Sequence, residues 1–238
     1  MRPMDFGVPL VPCTLVRRYK RFLADVTLDD GREVTVHCAN SGAMTGCFEP
    51  GWRAFLSTSD NPRRKHRHTL ELVHNGRCHI AVNTQRANHV AAEAATSGLV
   101  CGLDGDGELR REVAPPGDVG TRLDLVWRTG TTITWIEVKS VTLVDGRGRA
   151  AFPDAAVRAL PDGGARALSR RRGGDNAVLL FVILRSDGDG FAPAAAIDPA
   201  YAAALSRAAG AGVRVLTLRT AIDPTGIRAV GCVEPAMM

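Results

Sequence analysis

Three ionisable residues in TRLDLVWRTGTTITWIEVKS (residues 121–140) stand where they could do chemistry together: Asp124, Glu137 and Lys139. Apolar residues alternate on both sides of Gly130, which reads as a β-hairpin. With a two-residue type II′ turn at Gly130-Thr131, Asp124 faces Glu137 and Arg122 faces Lys139, the paired Cβ atoms roughly 4.5–5.5 Å apart. Two carboxylates so placed repel unless a proton or a cation lies between them. Mg²⁺, or Mn²⁺ in its stead, suits the position, because Mg²⁺ is commonly held by carboxylates together with waters and phosphate oxygens. Glu137 and Lys139 are two residues apart, so strand parity sets the ammonium on the carboxylates' face. A lysine there can orient or deprotonate a water, and an arginine cannot. A turn at Thr129-Gly130 instead pairs Arg122 with Glu137 and removes Asp124 from the cluster; the spacing permits either register.

The elements around this hairpin read as an α/β sheet. VNTQRANHVAAEAATSG (82–98) sets Ala87, Val90, Ala91 and Ala94 on one helical stripe, with Asn83 or Thr84 as cap and Gly98 as stop. Glu93 projects near that stripe and could act on the strand carboxylates through an outer-shell water. A strand near Leu109–Val113 precedes the hairpin, and a short helix around Arg166–Arg172 follows it. NAVLLFVIL (176–184) suits a strand buried on both faces. Asp198-Pro199 starts a helix that Gly210 and Gly212 end, and VRVLTL (213–218) supplies another buried strand. The order of helices and strands is that of a mixed sheet.

Residues 1–80 have a different character. RRYKRFLADVTLDDGREVTVHC (17–38) alternates Phe22, Ala24, Val26 and Leu28, turns at Asp30-Gly31, and returns through Val34 and Val36; Asp-Gly suits a type I′ turn. Further strands at Trp52–Ser57 and Thr69–Val73 suggest a small OB-like β-barrel, with the domain boundary near residue 80. Arg17, Arg18, Tyr19, Lys20 and Arg21 interleave cations with an aromatic, the pattern of a stacking platform beside phosphate contacts; Tyr19 is the stacking residue expected, and Phe22 is expected inside the barrel. Arg63, Arg64 and Lys65 begin a second basic run after Asn61-Pro62. The loop NSGAMTGC (40–47) reads as a tight connection or an anion-cradling nest.

Composition narrows the classes. The chain has 238 residues, 45% of them hydrophobic, enough for a buried core. Its longest apolar run, Ala177 to Leu184, is far short of a membrane span, and prolines break the N-terminus, so a cytoplasmic protein without membrane association is expected. The net charge of +5 belongs to the front third, where residues 1–80 hold 12 Lys+Arg against 8 Asp+Glu, a balance suited to a phosphate-contacting patch. Of these 30 basic residues in the chain only Lys20, Lys65 and Lys139 are lysines. Six cysteines lie apart with no C-x-x-C pair, which reads as reduced thiols; His37, Cys38 and Cys47 lack a fourth ligand for a metal site.

These residues carry a resemblance. RLD (122–124) with IEVKS (136–140) resembles the core of the PD-(D/E)XK nuclease superfamily. Adding RRYKRFLADV (17–26), HCANSGAMTGC (37–47), SDNPRRK (59–65), VNTQRANHVAAEA (82–94), IEVKSVTL (136–143) and FPDA (152–155), nearly the whole chain resembles the sugar fermentation stimulation protein A family. The resemblance implies an OB-like nucleic-acid-binding barrel (1–80), then a restriction-endonuclease-like mixed-sheet α/β domain (81–238). It further implies DNA as partner and a link to the regulation of sugar, notably maltose, metabolism. The chain departs from the family after FPDA, where residues 156–164 read AVRALPDGG in place of a basic segment entering a helix. That leaves two functions in view: a DNA-binding protein with a Mg²⁺-dependent phosphodiesterase-like site, in which Asp124 and Glu137 bind metal and Lys139 orients water, or a DNA-binding regulator without catalysis.

Overall fold

The computed structural model describes residues 4–115, 122–153, 175–188 and 190–235. The alternation in the first third builds a closed barrel from β2 (Val11–Tyr19), β3 (Leu23–Leu28), β4 (Glu33–His37), β5 (Arg53–Thr58) and β6 (His68–His74). Their order is β4-β3-β2-β5-β6, and a parallel pairing of His37 with Thr69 joins β4 to β6. This is the OB arrangement expected. Leu15, Val26, Val36, Leu56 and Leu70 fill the interior at 1% exposure or less. Cys13 lies among them as a small hydrophobe, its thiol pushed up to about 12 by burial. The six cysteines are free thiols, as read from their spacing.

Two turns differ from expectation. Between β3 and β4 the Leu28 amide donates to the Arg32 carbonyl and closes a three-residue loop, Asp29 to Gly31, with only Gly31 at positive φ (85°) and its amide donating to the Leu28 carbonyl. That is a type I turn closed by a left-handed glycine, not a two-residue type I′ turn. The expected continuous strand through RRYKRF is interrupted: Lys20 and Arg21, at φ 49° and 62°, reverse the chain so that Tyr19 pairs with Leu23. Phe22 therefore falls in a turn, loses its parity with Ala24, and is 45% exposed instead of inside the barrel.

The second domain is a seven-stranded sheet in the order β1-β16-β15-β13-β10-β9-β8. Its members are β1 (Met4–Asp5), β8 (Glu108–Val113), β9 (Leu123–Thr129), β10 (Thr132–Val141), β13 (Asn176–Ile183), β15 (Arg214–Asp223) and β16 (Gly226–Val233). β10, β13 and β15 run parallel, and the flanking pairs are antiparallel. β13 is buried from Ala177 onward, which its unbroken apolar run requires. The N-terminal β1 joins β16 here instead of the barrel, and β7 (His79–Ala81) pairs with β6 across the expected division at residue 80. β11 (Leu143–Val144), β12 (Ala150–Phe152) and β14 (Phe191–Pro193) form a small separate sheet absent from the sequence reading. The helix expected at Arg166–Arg172 and the segment 156–164 lie outside the described residues.

Helix α1 (Arg86–Thr96) packs its alanine stripe on one face of the sheet, and α2 (Pro199–Gly210) covers the other. α1 ends as Gly98 predicts: at φ 69° it follows the Ser97 cap, and the Leu99 amide reaches back to the Ala94 carbonyl. α2 starts as predicted, the Asp198 carboxylate accepting from the Tyr201 amide at 2.9 Å. Among the described residues no helix is long and apolar enough to cross a membrane.

Two polar clusters join the domains. Glu71 of β6, 1% exposed, accepts from Arg86 through both oxygens (2.9 and 2.7 Å), from Asn83 (3.0 Å) and from Ser57 (2.7 Å). Arg185, beyond β13, donates to Asp187 at 2.6 and 2.9 Å and to the Thr142 carbonyl at 2.6 Å, while Asn75 from the barrel donates to Asp187 at 2.9 Å.

Candidate catalytic centre and nucleic-acid interface

The hairpin adopts the register that brings the carboxylates together. Thr129 pairs with Thr132 and the ladder runs to Leu125 with Ile136, so the next position on each strand is Asp124 and Glu137. The cause is local: Gly130 takes φ 58° and Thr131 does not, the signature of a type II′ turn.

From there the Asp124 carboxylate turns into the gap between the strands. One oxygen accepts the Val138 backbone amide at 2.8 Å, and the other accepts Asn88 Nδ2 of α1 at 2.8 Å. Glu137 and Lys139 share a face and touch, Nζ to Oε1 3.1 Å, with side chains 26% and 22% exposed. Glu137 sits mid-strand on β10 and Lys139 toward its C-terminal end, the side on which open α/β sheets place ligands. Arg122 leaves this group and donates to the Glu112 carbonyl.

Glu93 is half-buried on α1, and burial raises its carboxyl above the usual range, opposed by its neighbours Arg111 and the Met4 backbone amide. The contact from α1 to Asp124 comes from Asn88, a residue the sequence reading passed over. Its position offered a signal: a polar amide in the first turn of α1, one turn before Ala91 and Ala92 on the buried face.

The donor set suits a hard cation. Among the described residues no group of three or more His, Cys, Asp and Glu could hold a metal, and the hairpin register makes Asp124 and Glu137 the carboxylates at hand. That fits Mg²⁺ or Mn²⁺ with water and substrate oxygens completing the shell, and it does not fit a softer metal. The trio His37, Cys38 and Cys47 does not converge: the Cys38 thiol meets Met44 Sδ at 3.4 Å, and Cys47 donates to the Thr142 carbonyl at 3.2 Å.

The basic segments occupy the end of β2 with the β2–β3 turn, and the β5–β6 connection. These correspond to the loops that flank the ligand face of OB folds. Their residues do unequal work. Arg17 pairs with Asp25 at 2.8 Å and lies over the Tyr19 ring at 5.1 Å, and Tyr19 donates to Asp25 at 3.0 Å, so the expected stacking residue has one face covered. Arg18 turns inward: its Nη2 donates to the carbonyls of Arg21, Asn40 and Gly42 at 2.6–2.9 Å, and so it braces the turn against loop 40–47. Lys20, Arg21, Arg63, Arg64 and Lys65 are exposed, with Arg64 reaching Thr69 at 3.1 Å. His66 meets the Thr35 carbonyl at 3.2 Å, which brings the second loop against β4.

The two surfaces are connected. The loop 40–47 is tied at one end to the approach to α1, through Asn40 to the Val82 carbonyl (3.0 Å) and Thr84 to the Ala39 carbonyl (3.1 Å). Cys47 ties its other end to Thr142, three residues beyond Lys139. Barrel, helix start and carboxylate strand thus meet around one exposed loop.

Family models match residues 16–82, described as the SfsA N-terminal OB domain, and residues 85–226, described as the sugar fermentation stimulation protein RE domain. A sugar fermentation stimulation protein homolog of Acidithiobacillus ferrooxidans is 47% identical over 231 residues, covering 96% of this chain and 98% of the relative. One from Geotalea uraniireducens is 44% identical over 228 residues, covering 96% and 97%. The structure of Pyrococcus furiosus SfsA in complex with Ca²⁺ superposes with a TM-score of 0.84 at 24% identity, covering 98% of each chain.

Proposed function

The chain belongs to the sugar fermentation stimulation protein family, and from that premise we propose that it binds DNA on the barrel and carries a divalent-cation-dependent, phosphodiester-directed centre in the second domain. The observation that carries the reading is the hairpin register, which sets Asp124 beside Glu137 with Lys139 in contact. Asp124 and Glu137 would hold the cation, which when bound would supply Lewis acidity for phosphodiester hydrolysis.

The chain's own groups set the geometry. Asn88 and the Val138 amide fix both oxygens of Asp124, which limits its rotamers and aims the remaining lone pairs. Lys139, held by Glu137, orients the attacking water for in-line displacement. Exposed Arg21, Arg63 and Lys65 contact backbone phosphates, and loop 40–47 lies between them and the centre.

The test is incubation of end-labelled single- and double-stranded DNA with the protein and Mg²⁺, Mn²⁺ or Ca²⁺, the last because the P. furiosus relative was solved with it. Cleavage with Mg²⁺ or Mn²⁺ that Lys139→Ala abolishes while DNA binding persists is the expected result. No cation-dependent cleavage of either substrate would sink the catalytic half of the reading.

A further inference from the structure

Resting on the reading that the barrel binds nucleic acid, we infer that Phe22 is a base-stacking platform and that the ligand of the barrel is single-stranded. Phe22 is 45% exposed at the tip of the β2–β3 turn, its ring 21° from parallel with His37 and 6.5 Å away, centroid to centroid. A lone exposed aromatic is ordinary on a protein surface. This one sits in a loop that OB folds use for ligands, with cations on both sides. Lys20 and Arg21 precede it in the turn, and Arg64 bonds Thr69, the residue paired with His37.

The backbone supports the assignment. Lys20 and Arg21 adopt consecutive left-handed conformations that residues with side chains rarely take. This reversal leaves the strand one residue late, so that Leu23 enters the ladder and the Phe22 ring stays outside. Strained backbone of this kind concentrates where a loop serves a ligand.

The chemistry selects the strand state. An aromatic face flanked by guanidinium and ammonium groups matches an unpaired base followed by its phosphates. A duplex keeps its base faces inside the stack and offers Phe22 only edges and backbone.

The experiment measures fluorescence anisotropy of the full chain with three labelled ligands of roughly 15 residues or base pairs: oligothymidylate, an abasic deoxyribose-phosphate oligomer and a duplex. Phe22→Ala should weaken oligothymidylate binding about tenfold, leave the abasic and duplex ligands unchanged, and Phe22→Tyr should restore the loss. Oligothymidylate binding unchanged in Phe22→Ala would overturn the inference. A companion Arg21→Ala/Arg64→Ala variant separates the two ideas. If it weakens all three ligands while Phe22→Ala has no effect, the barrel remains the binding surface and only the stacking role falls. If neither variant alters any ligand, both fall.

Discussion

Replacing Arg86 with methionine removes the cation that neutralises Glu71, the most buried carboxylate among the described residues at 1% exposure. In the intact protein Glu71 receives two guanidinium bonds, an amide and a hydroxyl, and the guanidinium also lies 5.3 Å from the Phe6 ring. Without Arg86, Asn83 and Ser57 remain as partners, but the charge is uncompensated in a place water does not reach. Breaking a buried pair from one side costs about 3–5 kcal/mol. For a chain of this length each kcal/mol moves the melting temperature by roughly 2–4 °C, so the expected loss is roughly 6–20 °C. Thermal denaturation followed by far-UV circular dichroism reads it directly. Adding Glu71→Gln to Arg86→Met should recover part of the loss, because the buried charge disappears with its partner. A fall of less than about 2 °C in Arg86→Met, or a double variant no more stable than the single, would refute the reasoning. The cluster matters for function as well as stability, since Arg86 anchors the first turn of the helix from which Asn88 reaches Asp124.

Asn88→Ala should leave the fold intact and weaken divalent-cation binding by about 10–100-fold, the usual effect of removing a group that orients a ligand; calorimetric titration measures it. The Arg185 guanidinium holds the Asp187 carboxyl well below the usual carboxylate range, the largest cause being their hydrogen bond. A carboxyl depressed in the folded state stabilises fully above its unfolded pKa, about 3.9, and loses that contribution as pH falls through the folded value. The stability gap between wild type and Asp187→Asn should therefore be largest near neutrality and shrink below about pH 4, which urea titrations at several pH values would show. A gap that widened toward acid would contradict the sign.

What the sequence disclosed and what it hid follow from how local each feature is. The hairpin that bears Asp124, Glu137 and Lys139 was legible to the choice between two registers, because a glycine that permits positive φ and strict alternation act over a few residues; the structure chose the register whose next position beyond Leu125 and Ile136 is Asp124 and Glu137. Strand β13 and the start of α2 were legible for the same reason, one by its apolar run and the other by Asp198-Pro199. Phe22 was misplaced because a single reversal at Lys20-Arg21 shifts parity, and neither residue is one that advertises a left-handed turn. The Asn88 contact was hidden because it crosses from helix to strand, and no local pattern marks which helix side chain reaches Asp124. The pairing of β1 with β16 joins the two ends of the chain, and no local pattern encodes a contact at that separation.

The claim on which the rest depends is that Asp124 and Glu137 act together on one divalent cation. Titration of the full chain with Mn²⁺, followed by the loss of the free-ion electron paramagnetic resonance signal, tests it without DNA or turnover. Wild type should take up one Mn²⁺ per chain, and Asp124→Asn and Glu137→Gln should each weaken that site at least about tenfold. No uptake by wild type, or both variants binding Mn²⁺ as wild type does, would contradict the account.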